Sequence, residues 1–546
     1  MNFFDLNNPN LYIAIVLTLV NAIFMCFASY KFFQVLQLGG YSNRAYGHWL
    51  KDTKAKWISR TLMLFFMTCV CIVVCNVLFG SFSDQKLYGY IGLVFYFVFL
   101  IFFIVSMYKV PQKTPLKLTK RMWRLIVLYF FLMLILSFGL LYVALDFTYV
   151  FRYASITGTI LLMPLIVPLA NWLIRPLENL IKHTYKQKSK KKLNSLKNLK
   201  IIGITGSYGK TSTKNFLNQI LSTKYKTYAT PSSFNTPMGL SKVILSELND
   251  SYEIFIAEMG AIRKGDIKEI CDFVQPSIAI LTSIGEQHLT TFKTKENIKN
   301  TKFELIESLK ENDKAYFNDN SQDVLDLYNR CTLKNKYAVK LNDKSQEFTA
   351  FDIIADDEGL KFTMKLRDEE VNCKTKILGE HNIENILVAS SVAYDLGVPA
   401  KKIAQAISKL EPASHRLELS KAENGVTIID DSFNANIIGT KNALKTLSYF
   451  ENKRKVIVTP GLVELGDMEA EVNEQFGKDI AKVCDLVIIV NKNNRDAIKS
   501  GLISQNYPQE NIFAVDTLAE ATNLFSSVLR RGDVVLLEND LPDNYN

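Results

Sequence analysis

The chain alternates between two textures. Five apolar stretches, approximately Leu11–Tyr30, Ile58–Ser81, Tyr88–Tyr108, Trp123–Leu145 and Ala154–Ile174, each reach the roughly 20 residues that a bilayer-crossing helix needs. Pro164, Pro168 and Asn171 interrupt the last, which leaves a re-entrant or interfacial helix open there. From Leu199 onward the pattern changes to short buried-type strands separated by helical periodicity. Lys200–Thr205 reads as a strand, followed by a helix beginning near Lys210. Later runs at Lys455–Thr459, Leu486–Val490 and Asp533–Leu537 predict a second open α/β sheet.

Charge sharpens this division. The net charge of +10 over 546 residues conceals a split. Residues 1–182 carry 16 Lys+Arg against 5 Asp+Glu, and residues 183–200 carry seven Lys and no acid. Residues 201–546 are mildly acidic, with 41 basic and 49 acidic side chains. Basic residues crowd the first inter-stretch loop (Lys31, Arg44, Lys51, Lys54, Lys56, Arg60) and the third (Lys109, Lys113, Lys117, Lys120, Arg121, Arg124). The second offers Lys86 and the fourth Arg152. By the positive-inside rule this predicts a multi-pass cytoplasmic-membrane protein with an outside N-terminus, five spans and a C-terminal body in the cytoplasm. No Lys or Arg precedes the first span, so the start does not read as a cleaved signal peptide. The spans hold almost no ionisable residues, which favours anchoring over transport. The lysine run from Lys186 to Lys200 has no interleaved aromatics, so it points to anionic headgroups rather than nucleic acid. Eight scattered cysteines exclude a disulfide framework and a cysteine-quartet zinc site.

The chemistry begins at Thr205-Gly206-Ser207-Tyr208-Gly209-Lys210-Thr211-Ser212. A glycine turn between strand and helix exposes backbone N–H groups that cradle phosphate, with the helix dipole assisting. Lys210 is placed to neutralise phosphate oxygens and Thr211 to hold Mg2+. This predicts nucleotide binding by Gly206, Ser207, Gly209, Lys210, Thr211 and Ser212.

Further segments resemble the Mur ligases, ATP-dependent amide-forming enzymes of cell-wall peptide synthesis. Thr230–Gly239, with Asn235 and Thr236, is similar to the family's Asn-rich loop beside the phosphates and acyl group. Phe255–Gly260 resembles the strand ending in a metal-binding glutamate, here Glu258. Gly285-Glu-Gln-His-Leu289 resembles the segment whose histidine, His288, meets a second Mg2+. Asn300–Ile306 resembles the stretch with a carbamylated lysine, here Lys302. Leu378–Asn385 resembles the helix start whose counterparts of His381, Asn382 and Asn385 meet adenine, and His415-Arg416 resembles the hinge whose arginine reaches the γ-phosphate on closure. Asp430–Asn436 matches a Mur signature, with Asp431 toward ribose and Asn434 and Asn436 toward substrate. Three of the five histidines (His288, His381, His415) fall in these segments. The resemblance implies catalysis by Lys210, Lys302 and His288, with metal held by Thr211, Glu258, His288 and Lys302.

The likeness is greatest to the branch that adds D-alanyl-D-alanine to UDP-N-acetylmuramoyl-tripeptide, with Phe433 for the usual Tyr and Ile437 for the usual Pro. Two departures stand out. No counterpart of the uridine-nucleotide-binding domain precedes the phosphate loop, and Glu538-Asn-Asp-Leu-Pro-Asp543 replaces the expected Lys-Gly-Ser ending. The expected organisation is a membrane region (1–182), a basic linker (183–200), a central ATP-binding α/β domain (201–412) and a Rossmann-like C-terminal domain (413–546). The expected partners are a wall-precursor peptide, an amino acid or dipeptide, the lipid bilayer and other wall-synthesis enzymes. Two alternatives remain open at this point. One is a Mur-type ligase acting on a lipid-linked, pseudomurein or polyglutamate-like acceptor; the other is a non-catalytic nucleotide-binding scaffold.

Overall fold

The computed structural model describes residues 9–52, isolated positions between 62 and 105, and residues 114–143, 149–231, 234–285, 289–433, 435–463 and 465–540. The second and third apolar stretches (beyond those isolated positions), His288 and Asn434 lie outside the described residues. The chain divides into two compact units, with the boundary between Lys182 and His183.

In the first unit, helix α1 (Pro9–Ala28) bends by 46° at Ser29 into α2 (Tyr30–Leu38), followed by α3 (Asn43–Asp52), α4 (Lys120–Val143) and the first part of α5 (Tyr149–Ser195). By length and composition α4 and the 158–195 portion of α5 are each able to cross a membrane, and the bent α1–α2 pair makes a third candidate. Polar side chains join these helices. Asn21 donates to Ser137 Oγ (2.9 Å) and Thr159 Oγ1 (3.2 Å), and the Ser29 and Tyr129 hydroxyls meet at 2.6 Å. Buried Glu178 takes a two-pronged bond from Arg124 (2.6 and 3.0 Å). Helix α5 runs unbroken through Pro164, Pro168 and Pro176 rather than turning back. Pro168 has no N–H for the Pro164 carbonyl four residues earlier, and the Tyr46 hydroxyl takes that place at 2.9 Å.

The second unit opens with the end of α5. Lys186 pairs with Glu269 (2.9 Å), while Lys190 and Lys192 donate to the Asp272 and Leu245 carbonyls. Leu193 and Leu196 join the core beneath. Three of the seven lysines read as a headgroup-facing run are therefore engaged by the body itself.

Among the described residues the body's larger sheet has nine strands, β1 (Lys200–Thr205), β2 (Thr227–Ala229), β3 (Ile254–Glu258), β4 (Ile278–Leu281), β5 (Lys314–Asn318), β6 (Lys336–Leu341), β7 (Phe348–Asp356), β8 (Gly359–Leu366) and β9 (Glu369–Thr375). Their order is β2-β3-β1-β4-β5-β6-β7-β8-β9, parallel as far as β7 and antiparallel beyond. The strands that place chemistry are β1 (Lys200–Thr205), β3 (Ile254–Glu258) and β4 (Ile278–Leu281). Their apolar residues face both ways because helices cover both sides, as a parallel sheet requires. On one face lie α6 (Lys210–Leu221) and the helices His381–Asp395 and Ala400–Ile407. On the other lie Pro237–Ser246, Asp266–Val274 and Lys295–Glu307. Gly203 lets the last of these approach β1, since a Cβ there would lie 2.8 Å from Leu305 Cδ1.

The smaller sheet is built from β10 (Glu418–Lys421), β11 (Thr427–Asp431), β12 (Lys455–Thr459), β13 (Leu486–Val490), β14 (Ile512–Val515) and β15 (Val534–Glu538). The order of this sheet is β10-β11-β15-β12-β13-β14, and among these described strands only β10 is antiparallel. Its central strands include β11 (Thr427–Asp431), β12 (Lys455–Thr459) and β15 (Val534–Glu538). Asp431 and Glu538 are register partners at the carboxyl ends of β11 and β15.

Candidate active site

Parallel pairing brings three strand ends to one edge. Ile204 is level with Glu258 on one side of β1, and Thr205 with Leu281 on the other. The loop leaving β1 is pinned to the segment leaving β4. Ser207 N–H donates to the Ser283 carbonyl (2.7 Å), Ser207 Oγ to that of Gly285 (3.0 Å), and Thr282 Oγ1 to that of Tyr208 (2.6 Å). Gly206 takes φ +149°, and a Cβ there would fall 1.9 Å from Thr282 Oγ1, so glycine alone fits. Gly209, at φ +81°, caps α6, whose first turn holds Lys210, Thr211 and Ser212 with its N–H groups turned to the loop. Lys210 Nζ folds onto the carbonyls of Gly206 (2.7 Å) and Ser207 (2.9 Å). Burial pulls its ammonium down to about 8, with Glu258 opposing and Arg416 assisting.

Glu258 is the hub. One oxygen takes the Asn235 amide (3.1 Å), the other Lys214 Nζ (2.8 Å), and the Thr211 hydroxyl lies 3.1–3.3 Å from both. Burial alone would raise this carboxyl. Lys214 and Lys210, with the Lys214 and Asn235 hydrogen bonds, outweigh burial and hold it below the ordinary carboxylate range. Thr230 Oγ1 accepts the Glu258 N–H at 3.1 Å and fixes the strand end.

Lys302, on the helix Lys295–Glu307, is 4% exposed. Burial, helped by Lys210, drives its ammonium down to about 7 against Asp266 and Glu304. Much of it is therefore neutral amine at physiological pH.

Two further segments stand near this edge, the helix His381–Asp395 of the same domain and the stretch around Arg416. His381 opens its helix, and burial, with Arg416 and Lys445 adding to it and Glu380 opposing, holds its imidazole down to about 4, so it is neutral. Asn385 receives the Thr213 hydroxyl (3.1 Å) and donates to Asn382, which donates to the Leu378 carbonyl. Both asparagines are buried and seam this helix to the phosphate-loop helix. Where the larger sheet's domain gives way to the smaller one, His415 and Leu417 adopt φ +59° and +47° on either side of Arg416, whose guanidinium stands 5.1 Å from the Phe433 ring centroid. His415 Nδ1 meets Asp430 at 2.8 Å, and Leu417 N–H donates to Asp431 (3.2 Å). Burial raises Asp431 to about 6, with Arg416 and that N–H opposing.

Thr236 and Asn436, expected at substrate, serve as N-caps. Their side-chain oxygens accept the N–H groups of Gly239 (3.2 Å) and Gly439 (2.8 Å). Three residues near these strand ends were given no role from the sequence. Lys214 lies one turn beyond Lys210 on the same helix face, a spacing that offered a signal. Thr230 stands in the segment likened to the Asn-rich loop, and Glu538 in the ending that departs from Lys-Gly-Ser.

A hard cation among phosphate oxygens takes carboxylate and hydroxyl ligands, and ionised Glu258 with Thr211 beside it fits Mg2+. Among the described residues no group of three His, Cys, Asp or Glu side chains gathers.

Comparison with known proteins agrees with this layout. Residues 204–393 match the Mur ligase middle domain, and residues 415–538 match the Mur ligase glutamate ligase domain. The UDP-N-acetylmuramoyl-tripeptide--D-alanyl-D-alanine ligase of Bacillus subtilis is 31% identical over 283 residues, which is 52% of this chain and 60% of that protein. The ligase of the same name from Mycobacterium tuberculosis is 27% identical over 62% of this chain and 70% of its own length. MurF from Acinetobacter baumannii superposes with a TM-score of 0.58 at 25% identity, covering 66% of this chain and 77% of that one. MurF ligase from Thermotoga maritima in complex with ADP gives 0.58 at 26% identity, covering 66% and 80%. Through its middle and C-terminal domains, the chain belongs to the Mur ligase family.

Proposed function

We propose that this protein is a membrane-anchored, ATP-dependent peptide ligase that joins D-alanyl-D-alanine to UDP-N-acetylmuramoyl-tripeptide. The observation that carries the reading is the convergence on Glu258 of Thr211 and Asn235, beside the phosphate loop and Lys210. A scaffold has no use for an ionised buried carboxylate aimed at a phosphate cradle. The names of the Bacillus and Mycobacterium relatives supply the substrate pair.

In this reading the loop N–H groups and Lys210 hold the ATP phosphates, and Arg416 and Asp431 bring the last domain onto the nucleotide. The tripeptide carboxylate attacks the γ-phosphorus, ADP leaves, and the amine then displaces phosphate from the acyl phosphate. Thr211, Glu258, His288 and a carbamylated Lys302 would hold Mg2+, which when bound neutralises charge developing on the phosphoryl oxygens. Lys302 suits carbamylation because carbon dioxide reacts with neutral amine, and burial keeps much of this amine neutral near pH 7. The catalysis of the chain itself is positioning and charge stabilisation. Five spans with an outside N-terminus would hold the body at the cytoplasmic face of the membrane.

The test is phosphate release by full-length protein in detergent with ATP and UDP-N-acetylmuramoyl-tripeptide, with and without D-alanyl-D-alanine. Release that requires both, with the pentapeptide seen by mass, is expected. Release that needs a different acceptor overturns the substrate assignment, and release with none overturns the ligase.

A further inference from the structure

The end of helix α5 enters the body alongside two of its helices, and the contacts fix their sense. Lys186 meets Glu269 and, further along, Lys190 meets the Asp272 carbonyl, so α5 runs parallel to the helix Asp266–Val274. Ser189 Oγ reaches the Ser241 carbonyl (3.4 Å) and Lys192 that of Leu245, so α5 also runs parallel to Pro237–Ser246. The starts of both helices therefore lie at the end of the body where α5 arrives. Lys186 and Ser189 stand about one turn beyond those starts, which sets them level with residues 182–185 of α5. Leu177 and Leu180, further back on α5, expose apolar side chains. From Leu180 to Tyr185 the helix rises only about 7.5 Å, the thickness of one headgroup layer.

The two segments that lead into these helices are tied together. Gly260 N–H donates to the Asn235 carbonyl (2.8 Å), which joins the loop holding Phe234 to the loop that leaves β3. Phe234 and Ile262 are 37% and 49% exposed. Lys242, Arg263, Lys264 and Lys268 are exposed with them, and none of the four has an ion-pair partner among the described residues. The Lys242 ammonium stands 5.5 Å from the Phe234 ring centroid. The acids of this region are engaged within the body. Asp266 accepts the Ile262 and Arg263 N–H groups (both 2.8 Å), Glu304 accepts those of Gly265 and Lys268 (both 2.9 Å), and Glu269 takes Lys186. What faces outward is an apolar pair accompanied by four free cations. Such a surface complements one with phosphate outside and hydrocarbon beneath.

We propose that this end of the body lies on the bilayer, with Phe234 and Ile262 in the headgroup layer and Lys242, Arg263, Lys264 and Lys268 on anionic lipid phosphates. The inference rests on the membrane-anchored reading above. Asn235 follows Phe234, and Glu258 precedes Ile262 by four residues. The contact thus keeps the candidate active site at the membrane surface.

The experiment places the photoreactive side chain of p-benzoylphenylalanine at Ile262 in the full chain, or at Leu518, an exposed apolar residue of the smaller domain, as control. The protein is reconstituted into nanodiscs of phosphatidylcholine, alone or in equal mixture with phosphatidylglycerol, then irradiated and weighed intact. The expected result is a phosphatidylglycerol-dependent lipid adduct at position 262, about tenfold above that at 518. Arg263→Glu and Lys264→Glu together should cut that adduct about tenfold. Equal adducts at both positions, none at 262, or a yield indifferent to the double reversal overturns the inference. So does an adduct to added UDP-N-acetylmuramoyl-tripeptide that replaces the lipid adduct, since the patch would then be a site for the soluble precursor. A full chain that leaves the membrane fraction in alkaline carbonate overturns the anchored reading, and this inference with it.

Discussion

At the scale of single residues, the site is a problem in buried charge. Glu258 and Lys214 are 2% and 6% exposed and 2.8 Å apart, so each is the other's main compensation. Removing one partner of such a pair typically costs about 3–5 kcal/mol, because the survivor is left charged and desolvated. Lys214→Met should therefore lower the melting temperature sharply, and added Mg2+ should restore part of the loss by supplying the missing cation. A differential scanning measurement with and without Mg2+ checks both. Lys302 works in the opposite sense. Its folded-state value of about 7 lies below that of an unfolded lysine, so holding it charged costs stability. That cost is fully present below about pH 7 and fades as pH rises toward the unfolded value of about 10.4. Lys302→Met should thus be more stable than wild type at pH 6, with the gap narrowing by pH 9, while turnover is lost. Equal stability at both values would contradict the burial argument. Glycine spacing points to Lys210 and Thr211 and the family resemblance to Glu258, and the structure sets the Thr211 hydroxyl 3.1–3.3 Å from the Glu258 carboxylate. The role of Lys214 was not legible, since its chemistry comes from what helix packing places beside it.

At the scale of elements, most of the body was readable. The strand Lys200–Thr205 and the helix start at Lys210 follow from apolar runs broken by glycine. Gly206 shows why the loop takes this form, and Gly206→Ala should abolish nucleotide binding by forcing a methyl group into Thr282. Fluorescent-nucleotide titration of the folded variant measures this, and binding within tenfold of wild type would contradict it. Helix α5 was less legible. Proline counts as a break when only its own missing N–H is considered, yet Tyr46, more than a hundred residues away in sequence, supplies the donor that lets the helix continue. The docking of Lys186, Lys190 and Lys192 was hidden for the same reason, because a lysine-rich run looks alike whether it faces water, lipid or carbonyl groups.

At the scale of the whole molecule, the body has cores of its own on both sheets, drawn entirely from residues beyond 182. A fragment of residues 183–540 should accordingly fold and bind nucleotide with an affinity within a few-fold of the full chain. Failure of that fragment to unfold cooperatively would show that the first unit contributes more than attachment. The division into units was legible from charge and hydropathy alone, since a membrane-type texture and an α/β texture cannot share a core. The segment around Arg416, which resembles the family's hinge, has a backbone geometry with a consequence for populations. His415 and Leu417 both hold left-handed backbone around Arg416, a conformation that costs roughly 1–2 kcal/mol at each non-glycine residue. An alternative arrangement of the two domains that returns one of them to ordinary backbone gains that amount, and about 1.4 kcal/mol is a tenfold change in occupancy. In the proposed ligase, a movement of the last domain about this segment would release that backbone cost.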